Sequence, residues 1–115
     1  MDELIQSMGE RLTKRRKQLR LTQEELAERA EMTTQTISTA ETGRKALRPQ
    51  NIVKLCRTLE ISADYLLFGE ISNGDVAPLA AKVSQLSPEQ YHYLEDIINS
   101  FISAVNTDKQ TESET

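Results

Sequence analysis

Thr22-Gln23-Glu24-Glu25-Leu26-Ala27-Glu28-Arg29-Ala30-Glu31-Met32-Thr33-Thr34-Gln35-Thr36-Ile37-Ser38-Thr39-Ala40-Glu41 is the stretch that decides the fold of this chain. The Thr22 hydroxyl can accept a hydrogen bond from the backbone three residues on, and Glu25 occupies the reciprocal place of a capping box, so a helix starts there. Leu26 and Ala27 supply its buried side, and it ends near Ala30. Thr33 repeats the N-cap signature, and Ile37 and Ala40 face inward from a second short helix over about 34–41, which Gly43 stops. Two short capped helices this close, with small Ala27 allowing them to approach, fit a helix-turn-helix.

Outward from that pair the pattern stays helical. Leu4, Ile5, Met8, Leu12 and Leu19 recur at helical spacing through residues 3–19, with a strongly basic opposite side. Pro49 suits the first turn of a helix carrying Ile52, Val53, Leu55, Cys56 and Leu59. Ser62 caps another over Ala63 to Phe68, closed by Gly69. Five short helices therefore fill residues 1–70 and leave no room for a sheet. Polar turn formers such as Ser72-Asn73-Gly74-Asp75 mark 71–77 as a linker. A C-terminal helical segment occupies 78–106, with a short helix from Pro78 to Gln85 and a strong start signal at Ser87-Pro88-Glu89-Gln90. Residues 107–115 have nothing to bury and read as a disordered tail. The expected fold class is all-α, a five-helix domain with a C-terminal helical extension.

Composition narrows the function. At 115 residues the chain holds one modest core and an appendage. No apolar run approaches the ~18 to 20 residues of a membrane span, and the acidic start is unlike a signal peptide, so a cytoplasmic location is expected. A single Cys and a single His exclude an internal disulfide and a zinc finger. Cys56 falls on an apolar helix face and reads as a core residue; His92 reads as solvated or at an interface. Without a glycine-rich phosphate loop or a nucleophile beside a base, no enzyme activity and no cofactor are expected. The net charge of -4 is uneven: residues 1–70 carry 12 Lys/Arg against 11 Asp/Glu, and residues 71–115 carry 2 against 7. Between Arg11 and Arg20 stand six basic residues and no acid, so the acidity belongs to the tail half and does not exclude an anionic partner.

Four blocks carry a resemblance: Leu21-Thr22-Gln23-Glu24-Glu25-Leu26-Ala27, Thr36-Ile37-Ser38, Glu41-Thr42-Gly43 and Asp64-Tyr65-Leu66-Leu67-Phe68-Gly69. Together they resemble the lambda-repressor-like, Cro/CI-type (XRE) helix-turn-helix regulators over about Met8 to Gly69, and Thr33 to Ile37 looks like the recognition helices of phage repressors. The resemblance implies a transcriptional regulator, a repressor in the first instance, that reads double-stranded operator DNA. A recognition helix presents its first turns to base edges, which makes Thr34, Gln35 and Thr39 the base readers, with Ser38 beside them. The Gln35 amide can pair with adenine N6 and N7 together, and threonine methyls suit the thymine methyl. Gln23 is expected at a phosphate, with Thr33, Thr36, Thr42, Arg44, Lys45 and Arg48 as further backbone contacts. The resemblance also implies a structural salt bridge between Arg16 and Glu41, whereas Arg11, Lys14 and Arg15 either approach DNA at its edge or, the favoured reading, are solvated charges. Against the family pattern, Glu31 stands where the turn usually has Gly, Ala40 replaces a bulkier residue and so would loosen packing behind the reading helix, and the loop from Gly43 to Pro49 is slightly longer.

Tyr91, Leu94, Ile98, Phe101 and Val105 follow a 3-4-3-4 spacing that Ile97 and Ile102 widen, an apolar seam that needs a partner. Its favoured partner is a second copy, giving a homodimer on a palindromic site; the alternative is packing on its own domain. A different class of function stays open beside this one, an antitoxin-like or other regulator whose C-terminal helix binds a different protein.

Overall fold

The computed structural model describes the backbone of residues 2–114 and the side chains of residues 3–107. Among the described residues it is all-helical: α1 (Asp2–Gln18), α2 (Gln23–Arg29), α3 (Thr34–Glu41), α4 (Pro49–Leu59), α5 (Ala63–Phe68), α6 (Asn73–Val83) and α7 (Pro88–Glu114). None of these helices is long and apolar enough to cross a membrane. The chain divides into two compact units, Met1–Pro78 and Leu79–Thr115.

The starts follow the sequence signals. Thr22 Oγ1 accepts from the Glu25 N–H at 3.0 Å while Glu25 Oε1 accepts from the Thr22 N–H at 3.0 Å. That backbone bond, with the hydroxyl, holds the Glu25 carboxyl below the usual carboxylate range. Thr33 and Ser62 cap α3 and α5 through their hydroxyls alone, accepting from the Thr36 and Tyr65 N–H, and Ser87 with Gln90 forms a reciprocal box at α7.

Three helix ends instead use charged residues in the left-handed region, Arg20, Glu31 and Glu60, with φ of 59°, 55° and 55°. At α2 the Glu31 N–H bonds back to Glu28 O and the Met32 N–H to Ala27 O, which satisfies two carbonyls the helix leaves unpaired. The residue after each left-handed position is apolar, and Leu21, Met32 and Ile61 all pack on the core. Burying them holds the preceding residue in a conformation that costs an L side chain about 1–2 kcal/mol. Glu31→Gly is accordingly expected to raise stability by about 1 kcal/mol, read as a higher denaturant midpoint at unchanged slope.

The core of the first unit is Met8, Leu12, Leu21, Leu26, Ala27, Ala30, Ile37, Ala40, Leu47, Leu55, Leu59 and Leu66. Leu47 lies in the loop between α3 and α4, where no helical period predicts burial, yet it is only 9% exposed. Leu4, Leu19 and Val53, apolar on the expected faces, remain exposed. Ala40 loosens nothing: it is 1% exposed. Gly9 explains why, because a Cβ there would lie 2.5 Å from the Ala40 carbonyl oxygen, so α1 lies directly on α3.

Two expected solvated charges are structural. Arg11 donates from Nε to Leu66 O at 2.9 Å and from Nη2 to Leu67 O at 2.8 Å, and Arg15 Nε donates to Leu59 O at 2.9 Å. Both guanidinium groups satisfy carbonyls at the ends of α5 and α4, a place where cations are also favoured by the helix dipole. Lys14 is exposed, as expected.

The linker expected over 71–77 is helical from Asn73, so α6 starts before Pro78 rather than at it. Asp75 supplies the start signal by accepting from the Ser72 N–H at 2.9 Å, and Pro78 sits inside the helix. At the other end α7 continues to Glu114, so the backbone of 107–114 is helical where a disordered tail is expected. Extending a helix already nucleated costs far less than starting one, and Lys, Gln and Glu are good helix formers. Thr115 lies outside the described residues.

Candidate nucleic-acid interface

α3 buries Ile37 and Ala40 and turns its other side outward. Thr34 and Gln35 are exposed on its first turn, and Ser38 and Thr39 are half-buried one turn later. Thr39 Oγ1 donates to Gln35 O at 2.9 Å. Thr33 Oγ1 accepts from the Thr36 N–H at 3.1 Å and lies 2.8 Å from Thr36 Oγ1, while Thr42 Oγ1 donates to Ser38 O at 3.0 Å. None of these side chains carries charge, which suits base edges better than bulk solvent.

Gly43, at φ 72°, ends α3, with its own N–H bonded to Ala40 O and the Arg44 N–H to Thr39 O. The chain then runs along the side of α3, anchored by Leu47, with Arg44, Lys45 and Arg48 exposed. An open concavity of about 410 Å³ results, lined by Gln35, Thr39, Lys45, Leu47, Arg48 and Asn51. α4 begins beside it without a side-chain cap on Arg48. Uncharged side chains of α3 and exposed cations thus share one face.

Behind that face Arg16 and Glu41 form an ion pair with side chains 12% and 5% exposed. Arg16 Nε donates to Glu41 Oε2 at 2.7 Å and Nη2 to Oε1 at 3.0 Å, while Nη1 donates to Leu21 O at 2.9 Å. Gln23 Nε2 donates to Glu41 Oε1 at 3.1 Å, so the first residue of α2 is held by the last of α3. Sequence reasoning placed Gln23 at a phosphate and missed this bond; its only sequence signal is an amide at the start of one helix facing an acid at the end of the next. Burial pushes the Glu41 carboxyl up, but the bonds from Arg16 and Gln23 outweigh it and leave Glu41 below the usual carboxylate range, with Arg16 raised by the same pairing.

In the second unit most of the seam is exposed. Tyr91, Ile98, Phe101 and Ile102 are exposed, Phe101 at 70%, and Leu94 and Val105 are half-buried. His92 is exposed, with Nδ1 3.8 Å from Glu95 Oε1.

A short helix packed against its neighbour, with an uncharged outward row flanked by cations, has the form of a helix-turn-helix. The Helix-turn-helix family model matches residues 12–66. The DNA-binding domain of the P22 C2 repressor is 34% identical over 62% of this chain and 96% of that chain, with a TM-score of 0.54. The restriction-modification controller protein C.AhdI from Aeromonas hydrophila is 29% identical over 57% of this chain and 98% of its own, with a TM-score of 0.53. The SinR protein/SinI protein complex shares the fold, at 24% identity over 84% of this chain and 98% of that chain, with a TM-score of 0.54. No curated protein matches. The chain belongs to the lambda-repressor-like helix-turn-helix family and is a DNA-binding transcriptional regulator.

Proposed function

We propose that this regulator is a repressor that binds a palindromic operator as a homodimer, with α3 in the major groove. The observation that carries the reading is the face itself: Thr34, Gln35, Ser38 and Thr39 stand on α3 beside Arg44, Lys45 and Arg48. Gln35 reads a base, the three cations with Thr33, Thr36 and Thr42 meet phosphates, and Gln23 orients its amide toward the backbone from its anchor on Glu41. The similarity to a repressor's DNA-binding domain supports the direction of regulation. The exposed seam from Tyr91 to Val105 supports a self-complementary contact, since a row of large apolar groups in water is unfavourable unless covered.

Selection of bound sites from random duplexes tests the reading. Two inverted half-sites about 34–36 Å apart are expected for a dimer of such domains. A purely monomeric chain on and off DNA overturns the homodimer, and capture of a different protein by α7 in its place supports the protein-interaction alternative. Within a selected site, Gln35→Ala is expected to cost about 1–3 kcal/mol at one base position and relax preference there, whereas Arg44→Ala weakens all sequences alike and lowers the salt slope by about 1. Binding titrations on matched and substituted duplexes at several salt concentrations separate the two.

A further inference from the structure

The first unit ends in a joint made by one carboxylate. Asp75 Oδ1 accepts from the Ser62 N–H at 2.6 Å, and Oδ2 accepts from the Ser62 hydroxyl at 2.6 Å, the Ser72 N–H at 2.9 Å and the Ser72 hydroxyl at 3.2 Å. Ser62 is the N-cap of α5 and Ser72 immediately precedes α6, so Asp75 ties the starts of two helices together. Neither start depends on it alone. The Ser62 hydroxyl also accepts from the Tyr65 N–H at 2.9 Å, and the Ser72 carbonyl accepts from the Asp75 N–H at 3.0 Å. Burial raises the Asp75 carboxyl, but the four donors outweigh it and hold the group below the usual carboxylate range, so its bonds are charge-assisted.

A run such as Ser72-Asn73-Gly74-Asp75 ordinarily gives a flexible connection. Here Asp75 ties the start of α6 to Ser62 at the start of α5, so this run is held to the body of the domain instead of swinging as a free connection. For a reader paired through a segment further along the chain, this matters. Each added base pair moves a half-site by about 3.4 Å along the duplex and turns it by about a tenth of a circle around it. A loose connection tolerates several spacings at similar avidity, whereas a stiff one concentrates affinity on one.

We propose that Asp75 is a positioning residue that sets which half-site spacing the regulator accepts, by locking the exit of the chain from the DNA-binding domain. The proposal rests on the homodimer reading above. Asp75 touches no reading residue, so its removal leaves recognition of one half-site intact and changes only how two are combined.

The test uses the full chain, wild type and Asp75→Ala, in anisotropy titrations on three duplexes: the selected two-half-site operator, the same operator with two base pairs added between half-sites, and a single half-site. Wild type is expected to lose about tenfold or more on the lengthened operator and Asp75→Ala no more than about twofold, with single-half-site affinity equal for both. A variant that keeps the wild-type spacing preference overturns the proposal and leaves the homodimer standing. A wild-type chain indifferent to spacing and to the second half-site overturns both. Hydrogen exchange on the wild type supplies a readout that no folding defect can obscure: the Ser62 and Ser72 amides are protected if the latch is closed in solution, and rapid exchange at both overturns it.

Discussion

Glu41→Ala is expected to destabilise the first unit by about 3 to 5 kcal/mol, enough to consume a large share of the roughly 5 to 15 kcal/mol that holds a domain of this kind together. The loss does not measure an attraction between Glu41 and Arg16. It arises because the guanidinium, 12% exposed and wedged between α1 and α3, keeps its charge after its carboxylate is gone. Only the Leu21 carbonyl then remains to it, at 2.9 Å. The Gln23 amide loses its acceptor at the same time. Chemical denaturation of both forms checks the size. Replacing both partners with apolar residues of similar volume, Arg16→Met with Glu41→Leu, is expected to recover most of the loss, because desolvating two charges offsets what their pairing returns. If the double variant is no more stable than Glu41→Ala, the pair itself is the stabilising element.

The same pair sets a sign for pH. Glu41 ionises below its ordinary value of 4.5 in the folded state, because the bonds from Arg16 and Gln23 prevail over burial. A carboxyl depressed by folding contributes its full stability above the unfolded value, and the contribution falls away as pH drops through the folded one. Asp75 behaves likewise below its ordinary 3.8. Stability is therefore level with respect to these two groups above pH 4.5 and declines below it.

How much of this was legible in the sequence depends on which atoms do the bonding. Helix starts were readable because side chains make the bonds: Thr22, Thr33, Ser62 and Ser87 each cap from a fixed offset, and Pro49 fits the first turn. Helix ends closed by Gly43 and Gly69 were readable because glycine adopts the left-handed conformation, φ 72° and 76° here, at no steric cost. The ends at Arg20 and Glu60 carry no such residue, and what holds them is the burial of the apolar neighbour that follows. Arg11 and Arg15 looked like solvated charges because their partners are backbone carbonyls 44 to 56 residues away, which no side-chain pattern announces. Asp75 was hidden in the same way, since its position in a polar run suggests a linker and its reach back to Ser62 is visible only in three dimensions. In the proposed reading face, local pattern was enough to place Thr34, Gln35, Ser38 and Thr39 on one outward side of α3, because a single helix fixes which residues share a side. The Gln23 amide, whose partner is on another helix, was not predictable by that means.

Gly9→Ala is expected to destabilise by about 2 to 3 kcal/mol, although the intrinsic preference runs the other way by about 0.5 to 1 kcal/mol in the middle of a helix. The added Cβ would stand 2.5 Å from Ala40 O and 2.7 Å from Glu41 O, and both are backbone atoms that cannot rotate aside. Relief requires α1 and α3 to separate. That separation opens the layer around Ala40 and Ile37, and it also stretches the Arg16–Glu41 bonds of 2.7 and 3.0 Å, which span the same two helices. Since α3 carries the proposed reading residues, weaker DNA binding is expected to accompany the loss of stability rather than occur alone. Gly74→Ala is the matched control: its Cβ would meet only Ser72 Oγ, at 3.6 Å, so it should be neutral or stabilise by up to about 1 kcal/mol. Denaturation midpoints for the two variants decide the matter. A Gly9→Ala chain as stable as Gly74→Ala would mean that α1 and α3 lie further apart than 2.5 Å to a Cβ allows, and that Ala40 is buried by something other than the closeness of α1.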